Sequence, residues 1–366
     1  MDRRTFIKAG VALPAAGAFT GLPGMALAES AGSTSWRVFE VTTRVDVANP
    51  TGVTRVWLPA PLSADTAYQK ALGNDWSAES GSVRLLRDQK YAAGIVAAEF
   101  PKSAGKPALT LVSRFATRDR AVDLSRRGSG AAEDPAVLRL SLEPTELIPT
   151  DGIVRETAQG IVKDQKTDVG KARAIYEWIV ENTFRDPKVR GCGWGDIKAM
   201  LESRNLGGKC GDLNALFVGL ARSAGIPARD VYGVRVAASR LGYRSLGANS
   251  EVISKEQHCR AEFYAEGYGW VPVDPADVRK VVLEEPPGHL ALTSQKVEAA
   301  RKRLFGSWEM NWLAFNYAHD VQLPGAQGPK IPYFMYPNGE TAQGRLDPLD
   351  PVAFKYSMTT RELKSV

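Results

Sequence analysis

Between Gly207 and Pro227 the sequence leaves the chain little conformational choice. Leu213, Leu216, Phe217, Leu220, Ala221 and Ala224 recur at helical spacing and form one apolar face over about three turns. Gly225 and Pro227 close the helix. The residues ahead of it are Gly207-Gly208-Lys209-Cys210-Gly211-Asp212, so Cys210 stands at the start of a core helix. A helix N-terminus carries partial positive charge and unpaired N–H groups. These favour thiolate over thiol and can hold a developing oxyanion. The two glycines allow a substrate backbone to come close. A thiol nucleophile needs this setting; the competing explanations are a small residue in a tight junction or half of a disulfide.

A second segment supplies a base. Gln257 to Ala265 alternates, with His258, Arg260, Glu262 and Tyr264 on one face and Cys259, Ala261, Phe263 and Ala265 on the other. Glu266-Gly267-Tyr268-Gly269 reads as a turn, and the chain returns through Trp270-Val271-Pro272-Val273-Asp274. His258 and Asp274 are about equally far from that turn, so they are expected to be opposite or diagonal neighbours. A carboxylate there can fix the imidazole tautomer. The alternative is a surface histidine and a turn-capping aspartate. The chain has 3 His, and one of them falls on this hairpin. His289, after Pro286-Pro287-Gly288, reads as loop, and His319 as structural. Cys210, His258 and Asp274 therefore form a candidate Cys-His-Asp set.

Around this core the chain divides by pattern. Residues 1–28 carry Arg3-Arg4, Phe6-Ile7-Lys8, an apolar run and Ala26-Leu27-Ala28. They read as a cleavable twin-arginine export signal, which predicts a periplasmic location and no stable membrane insertion after cleavage. Residues 34–122 show short strands between turn signals, a small β-sandwich. Residues 123–150 are a Gly-, Ser- and Pro-rich connector. From 151 the period becomes helical, then β again from Val231, so 151–285 reads as an α+β domain. Residues 286–366 are an aromatic, proline-rich extension expected to pack on that core.

Composition narrows the function classes. Lys and Arg number 47 against 41 Asp and Glu, and no basic run is interleaved with aromatics, so nucleic acid is not an expected partner. With 3 Cys, 3 His and no zinc-type Cys spacing, no metal centre is expected. No calcium-loop signature is present either.

Gly208-Lys209-Cys210-Gly211-Asp212, Leu216-Phe217 and Ala221 to Arg229 resemble the core of the transglutaminase-like superfamily. His258 to Glu262 and Gly269 to Pro275 are similar to its His and Asp motifs. The resemblance covers about residues 170–280. It implies a papain-like α+β fold, with Cys210 as nucleophile, His258 as general base and acid, and Asp274 as the orienting carboxylate. It offers Trp194, within Gly193-Trp194-Gly195-Asp196, as an indole oxyanion donor, with core packing as the alternative. Many relatives carry His-Ala-Trp where this chain has His258-Cys259-Arg260; residue 259 should face away from His258. The expectation is an exported cysteine hydrolase acting on protein or peptide carboxamides, without a cofactor. The alternatives are a protein-glutamine γ-glutamyltransferase and a non-catalytic binding module. A Cys192–Cys259 disulfide would leave Cys210 free.

Overall fold

The computed structural model describes residues 35–128 and 130–364, so the export signal expected at 1–28 lies outside the described residues. The β region forms two packed sheets. One runs in the order Lys355–Leu363, Arg37–Asp46, Ala108–Thr117, Gln69–Ala78. The other runs Gly344–Leu346, Asn338–Thr341, Thr54–Pro59, Gly94–Phe100, Ser82–Arg87. Alternating side chains such as Val45, Leu109 and Leu111 of the first sheet meet Val56, Leu58, Val96 and Phe100 of the second. Gln69–Ala78 carries Gly73, Asn74 and Asp75 and reads poorly as a strand. It pairs at a sheet edge, with a register shift between Ala71 and Gly73.

Three strands of this sandwich come from the far end of the chain. Arg37–Asp46 pairs antiparallel with Lys355–Leu363, and Thr54–Pro59 with Asn338–Thr341. The segment beyond residue 285 thus does more than lie over the core domain. Its first part does belong there: Trp312–Asn316 pairs with Ala228–Arg235 as an edge strand. Its last part completes both sandwich sheets. The connector is not featureless either. It holds the short helix Pro135–Leu140, capped by Asp134, and Glu133 accepts the Trp270 indole N–H at 2.6 Å.

The α+β region is built on a four-stranded antiparallel sheet ordered Gly269–Val273, Gln257–Ala265, Ala228–Arg235, Trp312–Asn316. The helix Cys210–Ser223 packs on it, flanked by Gly152–Val162, Asp168–Asn182 and Pro275–Glu284. The sequence predicts one apolar face on the central helix, but every residue from Cys210 to Arg222 is buried. Apart from Asn214 Oδ1, most of its polar side-chain atoms are paired. Arg222, for example, donates to the carbonyls of Ala228 and Glu143. Phe39, Val41, Phe115 and Met358 of the sandwich share one apolar cluster with Cys192, Cys210, Leu213 and Cys259, so the sandwich forms a wall of the site. Among the described residues no helix is long and apolar enough to cross a membrane.

Candidate active site

The central helix begins against a loop that only glycine can form. Gly193 has φ +90°, and a Cβ on it would lie 1.8 Å from Asp212 Oδ2. Gly211 N–H donates to the Cys192 carbonyl at 2.7 Å, and a Cβ there would strike the same carbonyl. Asp212 accepts the Lys209 and Gly195 N–H groups at 2.9 Å each, capping the helix and pinning the loop together. The glycines before Cys210 serve the chain's own packing. A Cβ on Gly207 would meet the Phe184 ring at 2.4 Å, and one on Gly208 would meet Asp212 at 2.6 Å.

His258 lies at the start of its strand, and Asp274 immediately follows the returning one. The register pairs Ala261 with Val273, which makes His258 and Asp274 diagonal neighbours. His258 Nε2 sits 2.7 Å from Asp274 Oδ2. Asp274 is also the N-cap of Pro275–Glu284, its Oδ1 accepting the Asp277 N–H at 3.0 Å. The two alternatives for this aspartate hold together, one on each oxygen.

Several partners carry no signal in the sequence. Asn214, one turn beyond Cys210, donates to the Cys259 carbonyl at 2.8 Å and to Asp274 Oδ1 at 3.2 Å. Asp277 lies 3.4 Å from His258 Nε2 and is gripped by both donors of one Arg235 terminal nitrogen at 2.6 and 2.8 Å. Arg260 is buried 3.8 Å from Asp274 and lies over the Trp312 ring at 4.7 Å. Periodicity could not reveal these contacts, because each joins segments far apart in the chain.

Electrostatics polarises the pair. Contacts from the Cys192 and Cys259 thiols hold the Cys210 thiol well below its usual range, overcoming burial, with further help from His258. Burial and the Arg235 charge press the His258 imidazolium towards neutrality. The carboxylates of Asp277 and Asp274 outweigh them and raise its pKa above 6.5. The hydrogen bond to Cys210 pushes the Cys192 thiol up, and burial does the same to Cys259. Burial likewise pushes Arg260 down to about 10.

Cys192, Cys210 and His258 line a cleft of about 410 Å³, also bordered by Gln257, Tyr336 and Tyr356. That volume suits a peptide-sized group. Trp194 is not brought to it. Its ring is 71% exposed and is absent from the cleft lining, because the glycine turn is spent holding Asp212 rather than aiming the indole inward. Nor is the expected Cys192–Cys259 bridge formed. All three cysteines are free; Cys192 points at the Gln257 carbonyl (3.4 Å) and Cys259 at the Met335 sulfur (3.9 Å). His289 is an exposed loop residue, and His319 is buried 3.3 Å from Asp230.

Residues 155–275 match the family model described as the transglutaminase-like superfamily. An uncharacterised protein of Haemophilus influenzae is 36% identical over 352 residues, covering 90% of this chain and 93% of that protein. The solved structure of a proposed cysteine protease from Cytophaga hutchinsonii is similar in fold, with TM-score 0.50, 15% identity, and coverage of 90% of this chain and 99% of that one. The periplasmic domain of TgpA from Pseudomonas aeruginosa matches over 71% of this chain and 92% of its own, at 15% identity and TM-score 0.34. The chain belongs to the transglutaminase-like superfamily.

Proposed function

We propose that the protein is a cysteine hydrolase that cleaves carboxamides of proteins or peptides through Cys210, His258 and Asp274. The observation carrying this reading is the 2.7 Å His258–Asp274 contact in the same cleft as a helix-start thiol whose pKa is held well below the usual thiol range. The Cys210 thiolate attacks the carboxamide carbon. Asp274 occupies Nε2, so Nδ1 of the imidazolium is the nitrogen free to give its proton to the leaving amine or ammonia. A thioester remains. Water, deprotonated by the now neutral His258, attacks it, and Cys210 departs as thiolate with release of the acid.

The oxyanion needs donors. In the first turn the Gly211 N–H is taken by Cys192, and those of Asp212 and Leu213 by the Lys209 carbonyl. The Cys210 N–H is the one left for it. Among the cations lining the cleft, Arg185 and Lys280 pair with Glu284, and Lys209 and Lys255 stand against Glu256 and favour an acidic peptide. The Arg3-Arg4 pair, the apolar run and Ala26-Leu27-Ala28 support export by the twin-arginine route and a periplasmic site of action.

Iodoacetamide labelling near neutral pH tests the thiol: Cys210 is expected to label fastest, and Cys210→Ala to abolish turnover. An acidic glutamine peptide, incubated with and without a primary amine, is expected to give acid and ammonia in both cases. Equal, slow labelling of the three thiols with no product would defeat the enzymatic reading. A dominant amine adduct would replace hydrolysis by acyl transfer.

A further inference from the structure

Cys192, Cys210 and Cys259 come from a loop, a helix start and a strand, yet their sulfurs lie within 4.8 Å of one another. Sequence spacing gives no sign of this. A fourth sulfur stands behind them: Met335, fully buried, places its thioether 3.9 Å from Cys259 Sγ. Sulfur-to-metal bonds of about 2.3 Å set sulfurs sharing one ion roughly 4 Å apart. The cluster therefore needs only a contraction of about 1 Å or less to close on an ion. Cys192 and Cys210 line the cleft and give an ion its way in, while Cys259 closes the floor. The nearby carboxylates do not compete for that ion. Asp277 is engaged by Arg235, and Asp274 by His258, Asn214 and the Asp277 N–H. Thiolates backed by a thioether, without an oxygen ligand among them, select Cu(I) over harder cations.

We propose that Cys192, Cys210 and Cys259 form a three-sulfur site for a soft d10 cation of the Cu(I) class, with the Met335 thioether behind it. Cys192 and Cys259 each release one proton on ligating, Cys210 joins as the thiolate, and nothing is oxidised or reduced. The binding site stands whether or not Cys210 is a nucleophile. Its consequence, that a bound ion silences Cys210, rests on the function proposed above.

The test is an anaerobic titration of the reduced protein with Cu(I) against a colorimetric Cu(I) chelator, followed by X-ray absorption at the copper edge. One ion per chain with a shell of three sulfurs is expected. One equivalent of Cu(I) should block iodoacetamide labelling of Cys210, and excess chelator should restore it. Cys259→Ser should bind Cu(I) more than about tenfold more weakly and lose this protection, while Cys210 still labels in the absence of the ion, more slowly because one thiol contact that lowers its pKa is gone. Circular dichroism checks that the variant is folded; if it is not, Cys192→Ser, from the opposite wall, carries the same expectation. Equal affinity in the wild type and both variants would overturn the site, because neither Cys192 nor Cys259 would then be a required ligand. So would a shell with fewer than three sulfurs. Absence of turnover on glutamine peptides would defeat the catalytic reading and leave these binding measurements intact.

Discussion

Asp274 divides its work between its oxygens, one capping a helix and one holding His258, so the imidazole is tied to the same turn that ends the hairpin. With the Cys210 pKa lowered and the His258 pKa raised, the reactive form is thiolate beside imidazolium. The pH dependence of kcat/KM follows from these signs. Activity should rise as Cys210 ionises, well below the ordinary thiol range, and fall as His258 loses its proton above pH 6.5. A bell-shaped profile measured on the metal-free enzyme checks this; an acid limb at the pKa of an ordinary thiol would remove the ion pair. Cys210, His258 and Asp274 were legible in the sequence because each carries a local sign: a helix start, an alternating face, an equal count from a turn. Asn214, Asp277 and Arg235 were not, because their roles exist only once distant segments meet. Trp194 was suggested by similarity to relatives, and the local glycine geometry turns its ring outward.

At the scale of elements, the buried Arg235–Asp277 pair fastens Ala228–Arg235 to Pro275–Glu284 beneath the histidine. Asp277→Asn should destabilise the protein by about 3–5 kcal/mol, because it leaves the guanidinium buried without its countercharge. Urea denaturation of this variant and of Asp277→Asn combined with Arg235→Met measures it; the double variant should recover most of the loss. The far end of the same helix is held differently. The Glu285 carboxylate accepts the Arg244 and Ser245 N–H groups, the Ser245 hydroxyl and Lys296 Nζ. Burial opposes ionisation, but these donors, Lys296 foremost, bring its pKa from 4.5 down to about 2. A depressed carboxylate pKa stabilises the fold above the unfolded value, and that stability is lost as pH falls through the folded one. Thermal melts should therefore drop between about pH 4.5 and 2, and Glu285→Gln should flatten that limb. The helix Pro275–Glu284 escaped the sequence reading because Asp274-Pro275 resembles a turn, although aspartate then proline is also a sound helix opening.

In the whole molecule, the sandwich and the α+β region share a wall, and the chain's last strands complete the first sheets. Removing residues 338–366 strips two strands from one sheet and one from the other. It also bares Phe39, Val41 and Phe115, which pack beside the cysteines. Loss of near-ultraviolet circular dichroism and of a cooperative melt is expected; a truncated protein that melts like the intact one would show that the closing strands are dispensable. The early sandwich strands were readable from their alternation, but their late partners were not, since nothing local tells a strand that its neighbour lies some three hundred positions away. The pairing of Arg37–Asp46 with Lys355–Leu363 also governs timing. While the ribosome is still elongating, the first strand waits without its mate and Met358 has yet to be made. The nascent polypeptide therefore carries the Cys210 sulfur before the chamber around it is complete, and competence waits for Lys355–Leu363 to emerge.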